Sequence, residues 1–201
     1  MFNHKILFLI GFIFLLFAVF LFLCTDLDQK LNGVLLSDHD SSLIYWNRLV
    51  SKSGSFAVVL PLSLIFILWV WIHRSHRDAV WLFVILISAR LVFLLMKNII
   101  VRARPAFPFS HIHATTASFP SGHAVNGLMF VLIILYCLRN YSLVCWISLI
   151  WVFLVGWSRL ALGAHWISDI LAGWGCAIMW FAFMMGIRNT VFVQKLLDYI
   201  L

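Results

Sequence analysis

The hydrophobic positions of this chain fall into six long apolar stretches, which short polar segments separate. A helix that crosses a bilayer needs roughly 20 apolar residues, and about 17 are tolerated. The fourth stretch is the shortest and needs residues from its flanks to reach that length. The pattern predicts an all-α polytopic membrane protein with six transmembrane helices, over Ile6–Cys24, Phe56–Ile72, Ala79–Met96, Ala124–Leu138, Leu143–Leu162 and Trp166–Ile187.

The first apolar stretch has two other interpretations, a signal peptide and a lipoprotein anchor. It is longer than the hydrophobic part of a signal peptide and lacks an A-x-A cleavage site. A lipoprotein cysteine would follow a small residue, whereas Leu23 precedes Cys24. The stretch is therefore predicted to be a retained helix.

The polar segment after the first stretch contains a second periodic pattern. Between residues 41 and 52, apolar side chains recur near one helical face, and Tyr45 and Trp46 suit headgroup depth. The pattern predicts a short helix that lies in the membrane interface. The alternative is a plain loop with accidental spacing. The apolar positions are Leu43, Trp46, Leu49 and Val50.

Composition supports one membrane domain that covers residues 1–201. Hydrophobic residues make up 64% of the chain and charged residues 10%, against about 25% charged in soluble proteins. The net charge of +7 comes from scattered cations, which indicates orientation signals and an anion site rather than nucleic-acid binding. No metal-ligand spacing links the four cysteines, which are predicted to be buried thiols: Cys24, Cys137, Cys145 and Cys176.

The distribution of cations predicts the orientation in the membrane. Cytoplasmic loops carry the excess of Lys and Arg, and six helices place both termini on one side. The segment 25–55 is slightly acidic, as suits an external loop. If the cations at 97, 104 and 159 have a chemical role and are left out of the count, the termini are cytoplasmic. Residues 97–121 and 159–165 then face outward. The cations on the cytoplasmic side are Lys5, Arg74, Arg77, Arg139, Arg188 and Lys195.

Three polar clusters fall on that outer side: KNIIVRARP (97–105), FPSGHA (119–124) and SRLALGAHWISD (158–169). Pro120 and Gly122 interrupt the chain before the fourth helix, so free backbone N–H groups there favour an anion. Lys97, Arg104 and Arg159 would repel each other unless a multiply charged anion, such as a phosphate, lay among them. The alternative is that each cation extends separately to the headgroup layer.

The third cluster also contains a nucleophile and its partner. His165 and Asp169 are four residues apart at the start of a helix and share a face. A carboxylate bound to one imidazole nitrogen leaves the lone pair of the other nitrogen free to attack. Arg159 would hold the electrophile, and His123 would serve as the general acid. This chemistry needs neither a metal nor a cofactor.

Together the clusters match a three-part signature, K-x6-RP, PSGH and SR-x5-H-x3-D. The chain therefore resembles the type-2 phosphatidic acid phosphatase superfamily, which includes bacterial lipid phosphatases and the vanadium haloperoxidases. Every signature position is matched, in order, within residues 97–169. The matching residues are Lys97, Arg104, Pro105, Pro120, Ser121, Gly122, His123, Ser158, Arg159, His165 and Asp169.

The resemblance implies a role for each of these residues. His165 would form a phosphohistidine, Asp169 would orient it, and His123 would protonate the leaving group and then assist water. It also implies catalysis without a metal, at the periplasmic or exterior face of a bacterial inner membrane. The phosphate oxygens would be held by Lys97, Arg104, Ser121, the Gly122 backbone and Arg159.

Four other polar residues have weaker assignments. Arg90 lies about 10 Å below Lys97 on the same helix face and is predicted to be a structural group; the alternative is support of the site. His111 and His113 are predicted to bind nothing rather than a substrate headgroup. Arg102 is assigned as an interfacial cation.

The predicted function is hydrolysis of a lipid phosphate or diphosphate that enters sideways from the bilayer. Undecaprenyl diphosphate and phosphatidylglycerophosphate are preferred over phosphatidic acid and a lipid A phosphate. Phosphoryl transfer to another lipid is the first alternative, and a non-catalytic lipid transporter is the second. A haloperoxidase is less favoured, because that chemistry is normally run by soluble members. The expected partners are the bilayer and the lipid, with no nucleic acid and no obligate protein partner.

Overall fold

The structure is a computed structural model that describes residues 3–35, 41–106, 110, 116–188 and 190–200. Within these ranges the regular structure is helical, and no strand occurs. The all-α prediction is therefore confirmed. The helices are α1 (His4–Leu23), α2 (Thr25–Leu35), α3 (Ser41–Ser53), α4 (Phe56–His73), α5 (His76–Ile99), α6 (Gly122–Leu138), α7 (Ser142–Ala161), α8 (Ile167–Arg188) and α9 (Val191–Ile200).

Each predicted apolar stretch forms a helix. Five helices, α1, α4, α5, α7 and α8, are long and apolar enough to cross a membrane. The sixth, α6, is apolar but has 17 residues, at the lower limit for a span. This helix corresponds to the fourth apolar stretch, which is the shortest of the six. Five spans thus agree with the prediction, and the sixth stays a prediction.

Three helices lie outside the apolar stretches. The helix α3 confirms the one predicted between residues 41 and 52, whose place in the interface stays a prediction. The hydrophobic pattern did not predict α2 or α9. Asp26 and Asp28 occupy the first turn of α2, where carboxylates favour a helix start.

The core is formed mainly by α4, α5, α6 and α8. Of the five helices that are long enough to span a membrane, α8 is the most deeply buried and α1 is the least buried. The helix α1 packs along α8 through glycines, since a Cβ built at Gly11 would lie 2.9 Å from the Gly175 carbonyl oxygen. Large apolar side chains remain exposed on α1, α4 and α7, as expected for surfaces that face lipid.

The two ends of the bundle differ in their polar contacts. At one end, Arg188 forms an ion pair with Asp78 and donates to the hydroxyl of Tyr136. His4, at the start of α1, lies beside Gly186 at this same end. The segments around residues 102–104 and 164–169 meet at the opposite end. The helices therefore alternate as the sequence analysis assumed.

The start of α6 is fixed against α8 by a close approach at Gly173. A Cβ built there would lie 2.8 Å from the Ala124 Cβ and 2.9 Å from the Ser121 carbonyl oxygen. The Ser121 N–H donates to the Asp169 carbonyl at 3.0 Å. These contacts bring the second polar cluster next to the third.

Candidate active site

The predicted nucleophile and its carboxylate partner lie where α8 begins. His165 precedes the helix, and Asp169 is in its first turn. The His165 Nδ1 lies 3.3 Å from the Asp169 Oδ2. The His165 side chain is only 2% exposed, and Asp169 is fully buried. The predicted pair is thus in contact inside the protein.

Arg104 identifies the tautomer of this imidazole. Its Nη1 lies 3.2 Å from the His165 Nε2. A guanidinium can only donate, so Nε2 must be the acceptor and the ring proton must lie on Nδ1. That proton faces Asp169, and the Nε2 lone pair is directed away from it.

Burial lowers the pKa of His165 to about 4, against the opposing effect of the hydrogen bond and charge of Asp169. Removing a charged imidazole from water is unfavourable, so the neutral form predominates at neutral pH. A neutral imidazole retains the lone pair that a nucleophile requires.

Asp169 receives more hydrogen bonds than the sequence suggested. Its Oδ2 also accepts from the Ser118 Oγ and from the Trp166 N–H, the latter at 3.0 Å. Its Oδ1 accepts from the Arg102 Nη1 at 2.8 Å. Each carboxylate oxygen is therefore occupied, and the orientation of Asp169 is fixed.

The assignment of Arg102 as an interfacial cation is wrong. Its side chain is 12% exposed and bridges two buried carboxylates, Asp169 and Asp28. The Arg102 Nη2 lies 2.9 Å from the Asp28 Oδ2. The bridge forms because Asp28, carried by α2, is fully buried and needs a cation.

Arg104 links the first cluster to the third and to the loop segment that precedes the second. Its Nε donates to the Thr116 carbonyl at 2.9 Å, and its Nη1 donates to the Ala164 carbonyl at 2.6 Å. The Nη2 donates to the Thr116 Oγ1 at 3.2 Å. These contacts hold the guanidinium against the imidazole of His165.

Arg159 is buried at the end of α7, with 6% of its surface exposed. It donates to the Ser51 Oγ of α3. Its Nε has no hydrogen-bond partner in the part of the chain that the structure describes. A buried cation with an unused donor is suited to bind an anion.

Lys97 and His123 belong to the same charged group. His123, the second residue of α6, is within electrostatic range of Arg159, His165, Arg104 and Lys97. The Lys97 Nζ lies 5.4 Å from the centre of the Phe93 ring. The structure thus gathers three cations and two imidazoles from the three clusters at one end of the bundle.

Ser121 and Gly122 form the start of α6. The Ser121 Oγ caps the helix by accepting from the Ala124 N–H at 3.5 Å, and Ser121 is fully buried. Gly122 is the first helical residue, where backbone N–H groups lack partners within the helix. The Ser121 Oγ therefore caps the helix, and its contact with a phosphate stays a prediction.

Arg90 lies against aromatic rings, 4.1 Å from the Phe56 centroid and 5.0 Å from that of Phe93. These contacts agree with the structural interpretation of Arg90. His111 and His113 lie outside the described residues, so their assignment stays a prediction.

The four cysteines are free thiols. Cys137 is buried as predicted, whereas Cys24, Cys145 and Cys176 are only partly buried. In the described ranges, no group of three or more His, Cys, Asp or Glu side chains is arranged to hold a metal.

Sequence reasoning missed four residues that hold the site together: Asp28, Ser51, Arg102 and Ser118. Asp28 and Ser51 come from segments that carry no signature motif, and Ser118 lies between the first and second motifs. Arg102 gave the one usable signal, since it lies between two signature residues and is followed two positions later by Arg104.

Known proteins resemble this chain in sequence and in fold. The chain is 28% identical to phosphatidylglycerophosphatase B of Bacillus subtilis (strain 168) over 156 residues, which cover 73% of this chain and 76% of that protein. It is 32% identical over 154 residues to YbjG of Escherichia coli (strain K12), whose name proposes an undecaprenyl-diphosphatase activity. That match covers 74% of this chain and 76% of YbjG.

Two solved structures share the fold. A transmembrane PAP2-type phosphatidylglycerolphosphate phosphatase from Bacillus subtilis has a TM-score of 0.76 and 24% identity, over 95% of this chain and 98% of that one. LpxE of Aquifex aeolicus has a TM-score of 0.66 and 20% identity, over 80% of this chain and 95% of that one. The PAP2 superfamily matches residues 78–192, more than half of the sequence. The chain therefore belongs to the PAP2 superfamily, which confirms the resemblance found in its motifs.

Proposed function

We propose that this protein is a membrane lipid phosphatase that hydrolyses a lipid phosphate or diphosphate through a phosphohistidine at His165. The observation that carries the proposal is the orientation of that imidazole. Its Nδ1 faces the Asp169 carboxylate, while its Nε2 faces the cation Arg104. A lone pair directed toward a cationic site is positioned to attack an electrophile that bears negative charge.

The first chemical step transfers the phosphoryl group to the protein. Oxygens of the bound phosphate replace Nε2 as the acceptor for Arg104, which frees the lone pair. The Nε2 then attacks phosphorus, an N–P bond forms, and the P–O bond to the leaving group breaks. His123 gives its proton to the departing oxygen. Asp169 stabilises the positive charge that develops on His165.

The second step releases phosphate. The now neutral His123 removes a proton from water as the water oxygen attacks phosphorus. The N–P bond breaks, and its electron pair returns to the Nε2 of His165. Both imidazoles regain their starting protonation states, so the cycle balances without any other reactant.

The phosphate oxygens have four sources of stabilisation in this proposal. Arg159 offers its unused Nε, and the first N–H groups of α6 offer hydrogen bonds and the positive end of the helix dipole. Lys97 and Arg104 add positive charge. A phosphate bound between the side chains of these cations would relieve their mutual repulsion.

The names of the relatives support phosphatidylglycerophosphate and undecaprenyl diphosphate as candidate substrates. We propose further that the site faces the periplasm or exterior of a bacterial inner membrane. The excess of Lys and Arg at the opposite end of the bundle supports that orientation.

The proposal is tested by phosphate release from a panel of lipid phosphates, with EDTA present. His165→Ala and Asp169→Asn are expected to lower kcat by about 10³-fold or more, since they remove the nucleophile and its orienting group. His73→Ala, an exposed histidine at the other end of α4, serves as the matched control.

Wild-type rates in His165→Ala would contradict the proposal, as would complete loss of activity in EDTA. If a phosphorylated lipid acceptor accumulated with little free phosphate, the reaction would be phosphoryl transfer to that lipid rather than hydrolysis. Melting temperatures of the variants show whether each one remains folded.

A further inference from the structure

The guanidinium of Arg159 is held at one of its three nitrogens. The residue is 6% exposed, and its Nη1 donates to the Ser51 Oγ of α3. Within the ranges that the structure describes, neither its Nε nor its Nη2 has a hydrogen-bond partner. Because buried donors in proteins are almost always paired, this division of the guanidinium calls for an explanation.

The two nitrogens without a partner form one edge of the guanidinium. Nε and Nη2 point their N–H bonds in parallel, which matches two oxygens of one phosphate. Nη1 does not belong to that edge, so a hydroxyl that binds Nη1 fixes the guanidinium without competing for the phosphate. Arg159 lies within electrostatic range of both imidazoles, His123 and His165. The guanidinium is thus close to the groups that would carry out the reaction.

The partner of Arg159 is neutral, which distinguishes this arginine from Arg102. Arg102 is paired with two buried carboxylates that offset its charge. Ser51 offers a hydroxyl oxygen, which accepts a hydrogen bond but carries no negative charge. The contact therefore orients the guanidinium of Arg159 and leaves its full positive charge for an anion.

The helix α3 is fixed against α7 at two further points. The Trp151 Nε1 donates to the Ser53 Oγ at 3.0 Å. Gly54, directly after α3, lies close to the side chain of Val155. Trp151, Val155 and Arg159 follow one another at intervals of four residues, so they share one face of α7. The end of α3 is therefore held along the face of α7 that carries the arginine.

Ser51 could not be identified from the motifs. It lies outside the three polar clusters and before residues 78–192, which match the superfamily. It is also 4% exposed, so its side chain is enclosed by the protein. Any role in the reaction must therefore pass through its contact with Arg159.

We propose that Ser51 is a positioning residue, whose hydroxyl holds the Nη1 of Arg159 so that the Nε and Nη2 edge receives two oxygens of the phosphate. The inference rests on the proposed function, in which Arg159 binds the phosphate, and it makes α3 a part of the active site. Without the hydroxyl, the guanidinium is free to rotate about its side-chain bonds and loses its alignment with the phosphate.

The test uses the full-length protein and the lipid phosphate that the wild type turns over fastest. Inhibition by vanadate is measured as well, because vanadate adopts the five-coordinate geometry of the transition state and reports on contacts to the phosphate oxygens. Ser51→Ala removes the hydroxyl. We expect kcat/KM to fall and the inhibition constant of vanadate to rise, each by about 10- to 100-fold, because a misplaced contact reduces catalysis on that scale.

Ser53→Ala is the matched control, because Ser53 ties the same helix to Trp151 rather than to Arg159. It is expected to lower the melting temperature through the lost hydrogen bond and to leave kcat/KM and the inhibition constant unchanged. Equal kinetic losses in the two alanine variants would show that Ser51 only fixes α3, and would overturn its positioning role.

A double-mutant cycle shows whether Ser51 acts through Arg159. Arg159→Lys keeps the charge but lacks the two-pronged edge. In that background, Ser51→Ala is expected to change the inhibition constant of vanadate very little further. If the two losses were additive, Ser51 would act independently of Arg159 and the inference would be wrong.

Melting temperatures show whether the variants are folded. If Ser51→Ala is not, Ser51→Cys takes its place, because a thiol of similar size is a weak acceptor and should shift both constants in the same direction. Wild-type constants in the folded variant would overturn the inference and leave the proposed function intact. A wild type that neither releases phosphate nor responds to vanadate would instead reject the proposed function and this inference with it.

Discussion

At the scale of single residues, the site is defined by what each imidazole nitrogen contacts. Asp169 faces one nitrogen of His165, and Arg104 faces the other. The carboxylate holds the proton on Nδ1, and in the proposed function the guanidinium occupies the position that a phosphate would take. His165 is buried and its pKa is lowered, so the proposed function predicts that its neutral imidazole attacks once Arg104 transfers its hydrogen bond to the substrate.

Arg102 is expected to be a positioning residue, because it contacts Asp169 rather than the phosphate site. Arg102→Met removes the cation between two buried carboxylates, Asp28 and Asp169. We expect kcat to fall by about 10- to 100-fold, with little change in KM. Removing the hydrogen-bond partner of a metal-ligating side chain has an effect of similar size. Steady-state kinetics on one lipid phosphate measure the two parameters separately.

Arg139→Met is the control, because Arg139 is exposed at the other end of the bundle. It should leave both parameters unchanged. A rise in KM at constant kcat in Arg102→Met would assign Arg102 to substrate binding and would contradict its positioning role.

The residues that could be predicted from the sequence are those whose spacing carries chemistry. His165 and Asp169 are four apart in the chain, so their contact follows from helix geometry. Asp28 and Arg102 are 74 positions apart, and their contact depends on how α2 folds over the site. No local pattern reports such a pairing, so Arg102 could be recognised only in three dimensions.

At the scale of elements, the apolar stretches predicted the helices because length and hydropathy decide them. The helix α2 was missed because its residues are largely polar and its stability comes from tertiary contacts. The first of these is the ion pair between Asp28 and Arg102. A polar helix of 11 residues has little helical stability alone, so its sequence pattern does not predict that it is helical.

Gly173 should be essential for the position of α6. Gly173→Ala places a methyl group within 2.9 Å of the Ser121 carbonyl oxygen, a backbone atom that cannot rotate away. The start of α6 must then move relative to Asp169. We expect a loss of about 1–3 kcal/mol in the free energy of unfolding and a drop in kcat, measured by denaturation and phosphate release.

Gly127→Ala in α6 is the matched substitution, because its Cβ would lie 3.4 Å from Val152, an ordinary contact. It should keep activity and gain up to about 1 kcal/mol of stability from helix propensity. If the two alanine variants behaved alike, the close approach at Gly173 would have no role in placing the site.

At the scale of the whole molecule, the exposed apolar surface and the polar end favour our proposal that the site lies at a membrane boundary. There, a lipid substrate would keep its tail in the bilayer while its phosphate reached the cations. The orientation is testable, because Ser110 lies in the loop before α6 and Asn140 lies in the turn after it. These two positions belong to opposite ends of the bundle.

In intact cells, a membrane-impermeant thiol reagent is expected to label Ser110→Cys and not Asn140→Cys. The wild-type chain, with its four native cysteines, gives the background. Both variants should react after the membrane is permeabilised. Labelling of Asn140→Cys alone in intact cells would reverse the proposed orientation.

The most direct measurement is capture of the phosphorylated protein by rapid acid-free quenching during turnover, followed by peptide mass spectrometry. The account predicts one added phosphoryl group on the peptide that contains His165, at a time before steady state, and none in His165→Ala. Product formation without any phosphorylated protein, or a phosphoryl group on a different residue, would contradict it.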